Sequence, residues 1–186
     1  LDNSTYNVNH GYGKNYYKPF YLENYKGYIY IVERNGNMLK LPSKNLINIK
    51  DNLEGIKIKS DIKKFNNIYI LDTLIINDEI FISFRSEDSK CKKFKIIKSK
   101  IKELLKFQII YEPNECGNNI QAGSMQYYKL DENDGILFSL SSPFSLVKNE
   151  TNLSQDDNSI FGKIHFLNFK NLNTKVFAKG FRNNQG

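Results

Sequence analysis

The feature that most restricts how this chain can fold is a recurring alternation of β-branched or aromatic residues with polar ones, cut into short runs by turn signals. Tyr28-Ile-Tyr-Ile-Val-Glu33 is such a run, Arg34-Asn-Gly-Asn37 follows, and Met38-Leu-Lys-Leu41 returns. Asn-Gly between two alternating runs signals a hairpin, because both residues accept the positive φ that a tight turn demands. The pattern recurs at 68–71, 77–84, 93–97, 107–111 and 125–130, then at 136–140, 162–167 and 174–178, with Asp131-Glu-Asn-Asp-Gly135 as another turn. Strands of this length, about four per 40 to 50 residues, are the layout of a propeller blade. The expected fold is all-β: a β-propeller of four-stranded antiparallel blades.

Composition agrees. The chain has 12 Tyr, 13 Phe and no Trp, and such residues favour strands. A segment from Cys91 to Lys106 is ambiguous: Phe94, Ile97, Ile101, Leu104 and Leu105 fall at helical spacing, while Phe94 and Ile96 alternate as in a strand. The expectation is a strand to about Ile97, then a polar turn or one short helix.

The formal net charge is +7, from 27 Lys and Arg against 20 Asp and Glu, but the lysines are scattered among asparagines along the whole length. They are not interleaved with aromatics in a repeated pattern, so no nucleic-acid partner is expected. No apolar run approaches the roughly 18 residues of a membrane-crossing helix. Phosphate loops, nucleophile elbows and His-x-x-x-His pairs are missing. Cys91 and Cys116 stand without metal-ligand spacing, so one disulfide is open to them. Asn3, Asn149 and Asn152 head matches to the N-glycosylation pattern, which an Asn-rich chain produces by chance.

Residues 1–20 carry no periodicity and read as an irregular lead-in, leaving 21–186 for the propeller. Leu1-Asp-Asn-Ser shows neither an initiator Met nor the makings of a leader, and the chain stops on Arg182-Asn-Asn-Gln-Gly186. Both ends read as cut.

Three stretches, in order, resemble the glucose/sorbosone dehydrogenase family. Tyr30-Ile-Val-Glu-Arg-Asn-Gly-Asn-Met-Leu-Lys40 is similar to its first hairpin, where a strand ending Thr-Glu-Arg enters a glycine turn. Ser154-Gln-Asp-Asp-Asn-Ser-Ile-Phe-Gly-Lys-Ile164 resembles its Ala-Gln-Asp…Leu-Gly-Lys-Ile segment, and Ala178-Lys-Gly-Phe-Arg-Asn-Asn-Gln-Gly186 its Gly-x-Arg-Asn-Pro-Gln-Gly. The resemblance implies a six-bladed propeller, about half of it in view. It also implies an aldose sugar as partner, pyrroloquinoline quinone (PQQ) and calcium as cofactors, calcium ligands beyond the visible chain, and export to the periplasm or beyond. By the same resemblance Arg182 supplies positive charge to quinone and sugar, and Asn183 a hydrogen bond to the cofactor. Gln185 and Gly186 fix the turn, and Asn184 stands for the family's proline.

Two departures bear on chemistry. The family's base is a histidine in a segment resembling Asp-His-Gln-Ser-Gly-Arg-Leu, and Asn118-Asn-Ile-Gln-Ala-Gly-Ser-Met125 is the matching stretch. Ile120 stands where the histidine belongs and Asn119 where its acidic neighbour belongs; neither accepts a proton at neutral pH. The chain's histidines, His10 and His165, lie outside the motif. Second, the family's glycine-rich segment before the second blade appears as Lys64-Phe-Asn-Asn-Ile-Tyr-Ile-Leu-Asp72 without glycine, which predicts less freedom for positive φ. Two readings therefore stand: a divergent sugar dehydrogenase in which another group acts as base, and a non-catalytic sugar- or protein-binding propeller on the same scaffold.

Overall fold

The computed structural model describes residues 20–46, 55–86, 91–117, 120–142 and 153–181. Strands β1 (Phe20–Tyr25), β2 (Tyr28–Glu33), β3 (Met38–Pro42) and β4 (Ile56–Lys57) form one antiparallel sheet in sequence order. A connector follows with β5 (Lys59–Ser60) and a 3-10 turn at Ile62–Phe65. The second sheet contains β6 (Ile68–Ile76), β7 (Glu79–Ser86), β8 (Phe94–Lys100) and β10 (Gln108–Tyr111), with β9 (Leu104–Leu105) pairing in parallel to β5. The third contains β11 (Ala122–Leu130), β12 (Asn133–Leu140), β13 (Lys163–Asn168) and β14 (Thr174–Lys179). The expected all-β architecture of four-stranded, up-and-down antiparallel blades is therefore present, three blades in succession.

The blades stack through their inner strands. Contacts run from β1 to β6 and from β6 to β11, the first strand of each sheet. Burial explains why β7 reads Glu-Ile-Phe-Ile-Ser-Phe with hardly a polar break: the middle blade is covered on both faces. Ile80, Ile82 and Phe84 join Val32 and Met38 in the core against the first blade. Phe81 joins Met125, Ile136, Phe138 and Leu167 in the core against the third. A strand buried on both sides loses its alternation, because both side-chain rows must leave water. The polar residue inside that run, Ser83, donates to the Gly123 carbonyl at 2.6 Å and so is satisfied.

Several details depart from expectation. β1 is an additional strand at the point where the irregular lead-in was to end; its half-exposed pattern, with Glu23 and Asn24 inside it, hid the alternation. The lysine-rich segment has no helix among the described residues: β8 runs on to Lys100, since pairing with β7 satisfies its backbone and buries Phe94, Ile96, Ile97 and Ser99. The turn expected at Asp131–Gly135 is shorter, because Asp134 and Gly135 lie within β12. Gly135 is there for space, not for turning: a Cβ would come within 2.3 Å of the Leu167 carbonyl and 2.6 Å of the Phe166 ring. The stretch before the second blade does reach positive φ without glycine, at Asn66 (28°) and Asn67 (41°), since asparagine tolerates this region better than other side-chain-bearing residues.

Candidate functional site

The two ends of the blade array differ. At one end the inner hairpins close through two residues each: Lys26-Gly27, Asn77-Asp78 and Asp131-Glu132. Positive φ at Lys26, Gly27, Asn77 and Asp78 fits the tight primed turns that match strand twist. The opposite end holds the starts of β1, β6 and β11 and the ends of β2, β7 and β12. Longer connections begin and end there, and Ile120, the described residue that the resemblance singled out, lies just before β11. This end is the candidate site.

Ile120, which the resemblance assigns to the base position, is fully buried in the core between the second and third blades. Its carbonyl accepts a hydrogen bond from Arg85 Nη1 at 2.6 Å. Just beyond it, Ala122 (φ 66°) and Gly123 (φ 106°) shift the register of β11, and a matching irregularity falls between Ile70 and Asp72 of β6. The two irregular strands nest, with Leu71 so close that a Cβ on Gly123 would lie 2.8 Å from it. Asp72 ties them, accepting from the backbone N–H of Met125 at 2.6 Å and of Thr73 at 2.8 Å. Burial pushes the Asp72 carboxyl up despite these two donors. On β1, burial likewise pushes Glu23 up, to about 7, against a hydrogen bond from the Ile75 backbone.

Arg182, Asn183 and Asn119 lie outside the described residues, as do His10, Asn184, Gln185, Gly186 and the three glycosylation-pattern asparagines. The backbone that leads to Arg182 is nonetheless well held. Gly180 N donates to the Ser154 and Gly162 carbonyls at 3.1 Å each, and Phe181 N to Gly162 O at 3.0 Å. Lys163 is completely buried and donates to the carbonyls of Leu153 (3.1 Å), Asp156 (2.7 Å) and Phe161 (3.1 Å), so one ammonium gathers the loop before β13. Burial lowers its pKa, with Asp156 and Glu115 pulling the other way. Glu115 braces the same loop from the second blade, accepting from Ser159 Oγ at 2.8 Å and Ile160 N at 2.7 Å. Beside Glu115 the open question about the cysteines is settled: Cys91 and Cys116 form a disulfide, with Cα atoms 5.3 Å apart.

The remaining histidine among the described residues is His165 on β13. It is buried, stacked on Phe138 with ring centroids 5.0 Å apart, and its Nε2 lies 2.7 Å from the Ile160 carbonyl. Burial lowers its pKa, which holds it neutral. Among the described residues no three of His, Cys, Asp and Glu come together as a metal site. At the position that the resemblance assigns to the base, the side chain is thus apolar and sealed in a core, with no group that accepts a proton.

Sequence reasoning missed one cluster here. Arg34, at the end of β2, lies with its guanidinium carbon 4.2 Å from the centroid of the Tyr69 ring, and Arg85, at the end of β7, lies 3.9 Å from the same centroid. The two charged carbons are therefore within about 8.1 Å of each other. At that separation like charges repel by about 0.5 kcal/mol in water and about 2 kcal/mol at an effective dielectric of 20. Stacking on an electron-rich ring offsets part of this. The Arg34 carbonyl accepts from Ile70 N at 3.0 Å, and the Tyr21 hydroxyl, which donates to Ile70 O at 3.1 Å, lies beside the Arg34 guanidinium. A usable signal was present: of 27 basic residues only Arg34, Arg85 and Arg182 are arginine. In a chain that uses lysine nearly everywhere else, arginine marks positions where a planar fork of donors is required.

No protein-family model matches the chain, and no curated protein matches it. Among solved structures, similarity is found to a chain of the S. cerevisiae assembly of dbp5 with nup159, gle1, IP6 and ADP, at 12% identity and a TM-score of 0.36, covering 91% of this chain and 52% of that one. It is also found to the N-terminal domain of Nup159, at 14% identity and a TM-score of 0.34, covering 87% of this chain and 52% of the other. The chain thus spans about half the length of each structure it matches.

Proposed function

We propose that this chain is part of a binding β-propeller of glucose/sorbosone dehydrogenase type whose ligand is a small sugar and whose hydride-transfer chemistry is lost. One observation carries the reading: position 120, which the resemblance assigns to the base, is a buried isoleucine whose backbone carbonyl is already engaged by Arg85. A buried apolar side chain neither takes a proton nor contacts a sugar hydroxyl productively, and loss of a general base costs on the order of 10²–10⁴ in rate. The disulfide supports an oxidising compartment, and hence the periplasmic or secreted location that the resemblance implies.

The test supplies the protein with PQQ, calcium and a panel of aldoses, follows dye reduction, and measures sugar binding separately by calorimetry. The expected outcome is sugar binding with no sugar-dependent reduction above the quinone-free control. Turnover at ordinary enzyme rates would refute the reading and return PQQ and calcium as working cofactors. Ile120→His extends the test: if the stretch 118–125 corresponds to the family's base segment, this variant raises turnover in protein that binds the quinone, and a flat rate shows that the correspondence is wrong.

A further inference from the structure

We propose that the end of the array bearing Arg34, Tyr69 and Arg85 recognises an anionic sugar, with Arg34 engaging its carboxylate or phosphate. The inference rests on the binding reading above and names the ligand class of the same end.

Four observations support it. Two of the chain's three arginines, from different blades, converge on one ring at the end where the inner strands begin. Arg34 has no carboxylate partner among the described residues, and its Nε is buried without an acceptor. A buried donor left open calls for an explanation, and an anion bound beside it is one. The described acids nearby do not neutralise Arg34. Both oxygens of Asp72 are taken by backbone N–H groups of Thr73 and Met125, and Glu23 is held by the Ile75 backbone. Finally, the guanidinium groups are held in place: Arg85 by the Ile120 carbonyl, and Arg34 by the Tyr69 ring and the Tyr21 hydroxyl. Binding to groups already in place avoids the entropy of ordering two long side chains. An oxyanion beside Arg34 would receive charge-assisted hydrogen bonds from the fork.

The probes are glucuronate, glucose 6-phosphate, glucose and inorganic phosphate, each titrated calorimetrically into the chain at low and high salt. At least one of the two anionic sugars is expected to bind about ten- to a hundred-fold more tightly than glucose, and which one binds identifies the oxyanion. The preference should shrink as salt rises, because an exposed charge contact is screened. Arg34→Gln removes the charge and leaves the backbone bonds of residue 34, so its affinities for anionic and neutral sugars should become alike. Equal binding of glucose and both anionic sugars by the unaltered protein overturns the inference while leaving the binding reading intact. Preference retained by folded Arg34→Gln protein also overturns it, as does a preference that ignores salt, a measurement that needs no variant. Binding of inorganic phosphate as tight as that of the best sugar removes the sugar from the inference. No binding by any probe removes it altogether. Sugar-dependent quinone reduction would remove the binding-only reading, and the anion preference would then be read in KM.

Discussion

Gly162 is the residue whose replacement should most clearly expose how the end of β14 is held against the loop before β13. It has φ +67°, and a Cβ built on it lies 2.3 Å from Ser154 Cβ, 2.6 Å from Ser154 Cα and 2.7 Å from the Phe181 carbonyl. Two costs add in Gly162→Ala. A left-handed conformation costs a side-chain-bearing residue about 1–2 kcal/mol, and forcing backbone aside in a packed site costs about 1–3 kcal/mol more. The total is about 2–5 kcal/mol. Gly27 provides the control, because it has φ +75° and nothing within 4 Å of the position a Cβ would take. Gly27→Ala should therefore cost only the conformational part, about 1–2 kcal/mol. Urea denaturation of the three proteins, followed by circular dichroism and checked for unchanged slope, gives the difference directly. The expected result is Gly162→Ala less stable than Gly27→Ala by at least about 1 kcal/mol. Equal destabilisation would refute the argument, since it would mean that the loop before β13 and the end of β14 do not meet as described.

Two further outcomes concern stability. Replacing both Cys91 and Cys116 by serine removes a cross-link between residues separated by 25 positions, and the chain-entropy relation gives a loss of about 3.5 kcal/mol. Denaturation with and without reductant measures it, and a loss under about 1 kcal/mol would show that the reduced chain keeps the loop closed by other means. Glu23 concerns pH. Its folded pKa of about 7 lies above its ordinary value of 4.5, so the folded state holds the proton more tightly. Stability should then be full below about 4.5 and fall as pH rises through about 7. Glu23→Gln should flatten stability across that window, and a Gln variant with the same pH slope would show that the slope arises elsewhere.

The sequence made the blade grammar legible because pairing in an antiparallel meander is local. Tyr28–Glu33, the Asn-Gly turn and β3 were readable since residues a few positions apart determine a hairpin. β1 was not, because an inner strand with Glu23 inside it draws its stability from the neighbouring blade, through contacts such as Tyr21 to the Ile70 carbonyl. The segment after Cys91 was legible as a strand at its start, but its apolar spacing also suits a helix, and pairing with β7 decides that the strand runs on to Lys100. At the site, the apolar side chain at position 120 is legible in the sequence, whereas its burial and its bond from Arg85 depend on how two blades meet.

By itself the sequence determined an all-β chain of short hairpins, the absence of a titratable group at position 120, and a basic surface built almost wholly from lysine. Tertiary structure alone decided which faces are buried, that the two cysteines join, and that Arg34 and Arg85 share one tyrosine ring. The physical reason is range: alternation and turn chemistry act between neighbours in the chain, whereas the pairing of charges, rings and thiols is set by the stacking of sheets whose residues lie tens of positions apart.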